Sequence, residues 1–245
     1  MPGILDHIVV IAIAVLFPLH AFYAFPRLKR AVACGQPRAR VRAYRATMIR
    51  QWTATAAVLA IWLTVGRPLA DLGLGVPGGW GFWLGVGLLG LALAAFAGQL
   101  RIARRSAEAR EHLREQLKPI AALLPQTRAE MSTFTLLAIT AGVCEELLFR
   151  GLLIWYLTHF AGLALAVAGS TLFFGLGHAY QGRAGALKAG AVGLICAGLY
   201  LLSGSLWPAM LLHAALDING GLLARIAAQT KPPPETTQIA ARDAS

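Results

Sequence analysis

Residues 136–160 read LLAITAGVCEELLFRGLLIWYLTHF, and this stretch decides the fold. It is apolar almost throughout and long enough to cross a bilayer as a helix, yet it carries Glu145, Glu146 and Arg150. Each ionised side chain at bilayer depth costs at least about 2.5 to 3.5 kcal/mol. A membrane helix with three of them needs a reason to keep them, and a functional site is the reason we favour.

The whole chain has the composition of a polytopic membrane protein. Of its 245 residues, 57% are hydrophobic and 13% are charged, and the mean hydropathy is +0.62. Lys and Arg outnumber Asp and Glu by 22 to 11. These basic residues concentrate between apolar runs, which indicates positive-inside topology and not nucleic-acid binding. Cys34, Cys144 and Cys196 form no CxxC pair, so we predict neither a disulfide framework nor a zinc knuckle.

The first 130 residues are predicted to hold three spanning helices, over 4–25, 49–65 and 80–100. The N-terminus lacks the basic region and cleavage site of a signal peptide, so the first helix is expected to be retained. Residues 27–50 carry many Arg and no acid, which predicts a cytoplasmic loop. Residues 66–79 are rich in Gly and Pro and form the predicted outer loop, whereas 101–128 is predicted to be an amphipathic cytoplasmic helix.

The second half is predicted to contain four closely packed helices, over 131–157, 162–177, 184–202 and 206–226. The predicted fold class is therefore all-α, a polytopic transmembrane helix bundle of about seven to eight spans, with the N-terminus outside and the C-terminus inside.

This pattern divides the chain into three parts. Residues 1–130 form the N-terminal transmembrane helices, residues 131–228 form the core that carries the polar groups, and residues 229–245 are expected to be a disordered polar tail.

Two further polar blocks lie in apolar helices of the second half. Phe174 and His178, and likewise His213 and Asp217, are four residues apart and so share a helix face. Taken alone, each group could simply bridge helices through a hydrogen bond or a structural ion pair. Two glutamates, two histidines and an aspartate on three neighbouring helices are a costly set for a scaffold, so we predict that they converge on one site.

In that order, the blocks Glu145-Glu146-xxx-Arg150, Phe174-xxx-His178 and His213-xxx-Asp217 resemble the motif set of the CAAX protease and bacteriocin-processing family, also called the Abi family. Its members are intramembrane endopeptidases and include the type II CAAX prenyl endopeptidase, or Ras-converting enzyme. The similarity covers about residues 131–226, and the first 130 residues are expected to contribute topology only. Prenyl endopeptidases typically carry Asn where this chain has Asp217, a departure that concerns the substrate more than the chemistry.

The resemblance implies peptide-bond hydrolysis with Glu145 as the general base that activates a water molecule. His178 and His213 would hold that water, or a metal ion that binds it, and His213 or Asp217 would stabilise the oxyanion.

Glu146 and Arg150 are expected to support Glu145 as a neighbouring ion pair. Glu145, His178 and His213 also match the ligand set of a catalytic zinc site. A metalloprotease and a metal-free glutamate protease therefore both stay open, and we favour the metal-free enzyme.

The implied partners are the lipid bilayer and a membrane-anchored peptide or protein substrate, without nucleic acid. The Arg-rich loops and the compact length favour a bacterial inner (plasma) membrane. One alternative is a non-enzymatic immunity or maturation-helper protein, in which the same polar groups orient helices. Another is a proton or ion conduit, which would need polar groups spread across the membrane and not a cluster.

The predicted depths of the polar groups do not agree with one another. Glu145 and His213 fall toward the outer half of their spans, whereas His178 falls near the inner end of a short helix. They can meet only if the helix boundaries differ or if residues 174–185 fold back into the bundle.

Overall fold

The computed structural model describes residues 1–228, which fold into an α-helical bundle and contain no strand. The helices are α1 (Ile4–Ala33), α2 (Ala39–Thr64), α3 (Trp80–Arg105), α4 (Ala107–Leu117), α5 (Arg128–Glu146), α6 (Ile154–Gly177), α7 (Arg183–Ser203) and α8 (Leu206–Ala228). A π-helical segment (Leu147–Leu153) joins α5 to α6. The predicted all-α class is confirmed. The tail predicted for 229–245 lies outside the described residues.

Within residues 1–228, five helical stretches are long and apolar enough to cross a membrane: α1, α3, the stretch from Arg128 to Gly177, α7 and α8. The stretch from Arg128 to Gly177 has 50 residues and is broken at Gly162, whose φ of 76° and ψ of 167° are not helical. The two separate helices predicted for 131–157 and 162–177 match this break. The total of seven to eight spans stays a prediction, because α2 has the length of a span but a more polar sequence.

The basic segment of residues 27–50, expected to be a loop, is instead mostly helical. Helix α1 continues through Pro18 and Pro26 to Ala33, and α2 already begins at Ala39. Arg and Ala have high helix propensity, so both helices extend beyond their apolar runs. The turn between them still places the basic residues of both helices at one end of the bundle.

The predicted amphipathic helix of residues 101–128 is divided in the structure. Helix α3 runs on to Arg105, and α4 begins after Ser106, whose hydroxyl oxygen accepts a hydrogen bond of 3.0 Å from the Ala109 amide. Serine at this position satisfies an amide that has no partner inside the helix.

A buried apolar core surrounds the π-helical segment. It joins side chains of α1, α2, the π-helical segment, α6 and α8, and its members are Val10, Ile13, Val58, Trp62, Leu72, Leu147, Leu148, Phe149, Leu152, Leu153, Phe174, Leu206 and Met210. Large apolar side chains outside this core, such as Ile11, Leu91 and Leu165, are exposed on the bundle surface, as expected for residues that face lipid.

An ion pair fastens the start of α1 to the loop after α2. Arg67 donates to both carboxylate oxygens of Asp6, at 2.8 and 2.7 Å. Its guanidinium lies over the rings of Trp62 and Trp155, at 5.0 and 4.6 Å from their centroids. The hydrogen bond that Arg67 donates to Asp6 raises the pKa of Arg67, so this residue keeps its charge.

Helices α5 and α8 approach each other closely beside the acidic motif. A Cβ atom at Gly142 would lie 2.6 Å from the Met210 carbonyl oxygen, so only glycine fits there. Gly142 precedes Glu145 by one turn, and Met210 precedes His213 by the same step. This contact therefore brings the acidic motif and the second histidine together.

We expect the Gly162→Ala variant to lose about 1 to 3 kcal/mol of stability, because a Cβ atom strains a residue held at φ of 76°. The measurement is thermal unfolding in detergent. Gly90→Ala is the matched control, since Gly90 lies within α3 and a Cβ atom there meets nothing within 4 Å. Equal melting temperatures for the two variants would contradict the break at Gly162.

Candidate functional site

The centre of the site is a buried ion pair that also holds a histidine. Glu146 Oε1 accepts hydrogen bonds from Arg150 at 3.0 Å and from His213 Nδ1 at 2.7 Å. Glu146 and Arg150 are both 0% exposed, so neither charge contacts solvent. Because a carboxylate can only accept, Nδ1 of His213 carries a proton, and Nε2 faces the opposite way. The pair, expected to support Glu145, instead contacts His213 directly.

The Arg150 guanidinium is enclosed by apolar groups on two neighbouring helices. Its central carbon lies 4.2 Å from the centroid of the Phe174 ring on α6. On α7, a Cβ atom at Gly193 would lie 2.6 Å from one Arg150 nitrogen. The Arg150 guanidinium is thus tightly packed between the π-helical segment, α6 and α7.

Glu145 approaches the other side of the same imidazole. Its Oε2 lies 3.8 Å from His213 Nε2, too far for a direct hydrogen bond. Asp217 Oδ2 lies 4.0 Å from the same nitrogen. The two adjacent glutamates therefore bracket His213, with Glu146 on Nδ1 and Glu145 on Nε2. Glu145 and Asp217 both remain partly exposed, unlike Glu146.

His178 lies directly after α6, and its Nδ1 donates to the Phe174 carbonyl at 2.9 Å. The Phe174 ring contacts both imidazoles, with centroids 4.7 Å from His178 and 5.8 Å from His213. His178 is also close enough to Asp217 to interact with it electrostatically. Within the described part of the chain, no hydrogen bond or ion pair joins His178 to Glu145 or His213.

A short 3-10 helical turn (Ala179–Gln181) follows His178. The pKa of Tyr180 is raised to about 12, chiefly by burial, and the negative charges of Glu145 and Asp217 raise it too. Tyr180 therefore lies near both carboxylates. The Tyr180 ring also contacts the rings of Phe25 on α1 and of His178, with centroids 5.2 and 6.1 Å apart.

The ligand set expected for zinc, Glu145, His178 and His213, is not assembled as a metal centre. Residues 1–228 contain no group of three His, Cys, Asp or Glu side chains placed to hold a metal ion. One donor atom of each expected ligand is engaged within the protein, by Gln51, Phe174 and Glu146.

Sequence reasoning missed Gln51 and Tyr180. Gln51 lies on α2, and its Nε2 donates to Glu145 Oε1 at 2.6 Å. The expectation that the first 130 residues contribute topology only is therefore wrong. The available signal was an amide side chain near the start of a predicted spanning helix, where polar groups are rare. Tyr180 had no comparable signal, since tyrosines are common at membrane interfaces.

We expect Gly193→Ala to lower the melting temperature in detergent, because the new Cβ atom would push against Arg150 and against the Phe174 ring, 3.1 Å away. Overpacking of this kind costs about 1 to 3 kcal/mol. Gly198→Ala on the same helix is the control, since a Cβ atom there meets nothing within 4 Å. Unchanged stability in both variants would show that the guanidinium is not confined.

Comparison with known protein families matches residues 127–219 to the type II CAAX prenyl endopeptidase Rce1-like family. No curated protein and no solved structure matches the chain. The matched segment contains all three polar blocks, at 145–150, 174–178 and 213–217. Residues 127–219 are therefore similar to the type II CAAX prenyl endopeptidase family, in agreement with the resemblance that the three polar blocks carry.

Proposed function

We propose that this protein is an intramembrane endopeptidase that uses Glu145 to activate a water molecule. The observation that carries the proposal is the distance of 3.8 Å between Glu145 Oε2 and His213 Nε2. Two polar atoms at this separation can both hydrogen-bond one water molecule between them. The family match of residues 127–219 supports peptide-bond hydrolysis as the reaction that this arrangement performs.

In the proposed reaction, Glu145 Oε2 takes a proton from the water as the water oxygen attacks the scissile carbonyl carbon. In this scheme His213 carries a proton on both ring nitrogens from the start, because the carboxylates of Glu146 and Asp217 lie beside it. The carbonyl oxygen becomes an oxyanion, which accepts a hydrogen bond from the N–H at His213 Nε2. Glu145 then returns the proton to the leaving amine nitrogen as the peptide bond breaks. The products are a new carboxylate and a new amino terminus, and the carboxylate of Glu145 is regenerated.

Glu146 and Arg150 act in this scheme through His213 and do not touch the substrate. The hydrogen bond of 2.7 Å from Nδ1 to Glu146 fixes the plane of the imidazole, and Arg150 compensates the buried carboxylate. Asp217, with Oδ2 at 4.0 Å from Nε2, stabilises a positively charged imidazole when the oxyanion forms.

We assign His178 to the side of the water molecule that faces the Phe174 ring. Its Nδ1 proton is donated to the Phe174 carbonyl, which leaves Nε2 as an acceptor for a hydrogen bond from water. The contact of Phe174 with both imidazoles supports this placement, because the ring fixes His178 relative to His213.

Zinc coordinated by Glu145, His178 and His213 stays a prediction of the sequence. The donor set of the described residues does not converge as a group of three, so we derive no step through a metal ion.

The proposed substrate is a protein or peptide held at the membrane, since five helical stretches of residues 1–228 have the length and composition of membrane spans. A prenylated C-terminal peptide is the specific candidate, supported by the description of the matched family. The proposed location in a bacterial inner membrane is supported by the Arg-rich segments of the chain.

We expect Glu145→Ala to abolish hydrolysis while the protein still folds, because Glu145 is partly exposed and its removal leaves the Glu146–Arg150 pair intact. A strain that lacks this protein should accumulate at least one membrane protein with an unprocessed terminus, seen by terminal peptide mass spectrometry. Wild-type protein should restore processing, and the Glu145→Ala variant should not.

Glu108→Gln is the control for that experiment, since Glu108 is exposed on α4. This control should restore processing fully. Restored processing with Glu145→Ala at normal expression would refute the enzymatic function. It would favour the non-enzymatic immunity or helper protein, in which these groups only orient helices.

We expect a purified preparation to keep its activity after treatment with EDTA, and to contain less than one equivalent of zinc by mass spectrometry of the metal. The reason is that residues 1–228 contain no group of three His, Cys, Asp or Glu side chains placed to hold a metal ion. Loss of activity on chelation, followed by recovery with added zinc, would instead establish the metalloprotease.

A further inference from the structure

Gln51 stands outside the family segment of residues 127–219 and still contacts its central carboxylate. It lies on α2 and is 4% exposed. The hydrogen bond from its Nε2 to Glu145 Oε1 is 2.6 Å long and spans 94 residues of sequence. Among the described residues it is the hydrogen bond that holds Glu145, whose Oε2 has none.

This bond determines where the second oxygen of the carboxylate points. A glutamate side chain rotates about several bonds, so a carboxylate without an anchor occupies many orientations. With Oε1 held by Gln51, Oε2 is directed to within 3.8 Å of His213 Nε2. The alignment of base and imidazole therefore depends on a residue of α2.

A purely structural role explains Gln51 poorly. Its own Oε1 is buried without a hydrogen-bond partner. An unpaired buried acceptor lowers stability, so an apolar side chain of similar size would suit the interface between α2 and α5 better. Groups that cost stability are typical of functional sites.

The same interface contains a second polar contact that does not reach the site. Trp52 Nε1 on α2 donates to the Thr140 hydroxyl on α5 at 3.2 Å. This hydrogen bond joins the same two helices without touching Glu145. It provides a matched comparison for a contact that only fastens α2 to α5.

We infer that Gln51 is a positioning residue that aims the Glu145 carboxylate at the water shared with His213. The inference rests on the proposed function of Glu145. It adds that α2, which lies outside the segment shared with the family, completes the catalytic geometry.

The test compares Gln51→Leu, Gln51→His and Trp52→Phe in the full-length protein, purified in detergent. The probe is an internally quenched peptide that ends in a farnesylated CAAX sequence, with Glu145→Ala as the inactive reference. We expect Gln51→Leu to lower kcat about 10- to 100-fold, with KM within about twofold and an equal or higher melting temperature. Gln51→His keeps an N–H donor and should recover most of kcat, whereas Trp52→Phe should keep kcat near wild type.

If Gln51→Leu keeps the wild-type kcat, the inference is overturned. The proposed function still stands in that case, provided that Glu145→Ala is inactive. Equal losses of kcat and melting temperature in Gln51→Leu and Trp52→Phe would also overturn it, because both residues would then only fasten α2 to α5. Retained cleavage by Glu145→Ala would instead refute the proposed function itself.

Discussion

The buried ion pair between Glu146 and Arg150 is the interaction on which the rest of the structure depends. Both side chains are fully enclosed, and removing one partner of a buried pair typically costs about 3 to 5 kcal/mol. The pair is stable here because His213 supplies a second hydrogen bond to Glu146 and the Phe174 ring covers the guanidinium. Each of these contacts comes from a different helix, so the charge pair requires α5, α6 and α8 to pack in one arrangement.

The π-helical segment is the local adjustment that makes this arrangement possible. It runs over Leu147–Leu153 and contains Arg150, and its wider turn changes which side chains face the neighbouring helices. Backbone groups released by such a turn need other partners inside a membrane protein. The Phe149 carbonyl is one such group, and it accepts a hydrogen bond of 2.7 Å from the Ser170 hydroxyl on α6. These contacts therefore join the acidic motif, the π-helical segment and the second half of α6 into one structural unit.

Much of the fold could be predicted from the sequence because hydropathy is a local property. The helices expected at 184–202 and 206–226 agree within about two residues with α7 and α8. The basic segment of residues 27–50 was less predictable, since its arginines indicate a side of the membrane but do not prevent helix formation. The π-helical segment carried no signal, because its sequence is compatible with an ordinary α-helix.

By itself, the sequence determined that the protein is a membrane helix bundle and which residues are candidates for the chemistry, since charged groups in apolar helices and four-residue spacings are properties of single segments. Only the tertiary structure decided which of those groups meet. It placed Glu146 and Glu145 on opposite sides of His213, left His178 joined to them through Phe174, and brought Gln51 to Glu145. The physical reason is that spacing along one helix specifies a shared face, whereas the rotation and depth of each helix against its neighbours follow from packing across the whole bundle.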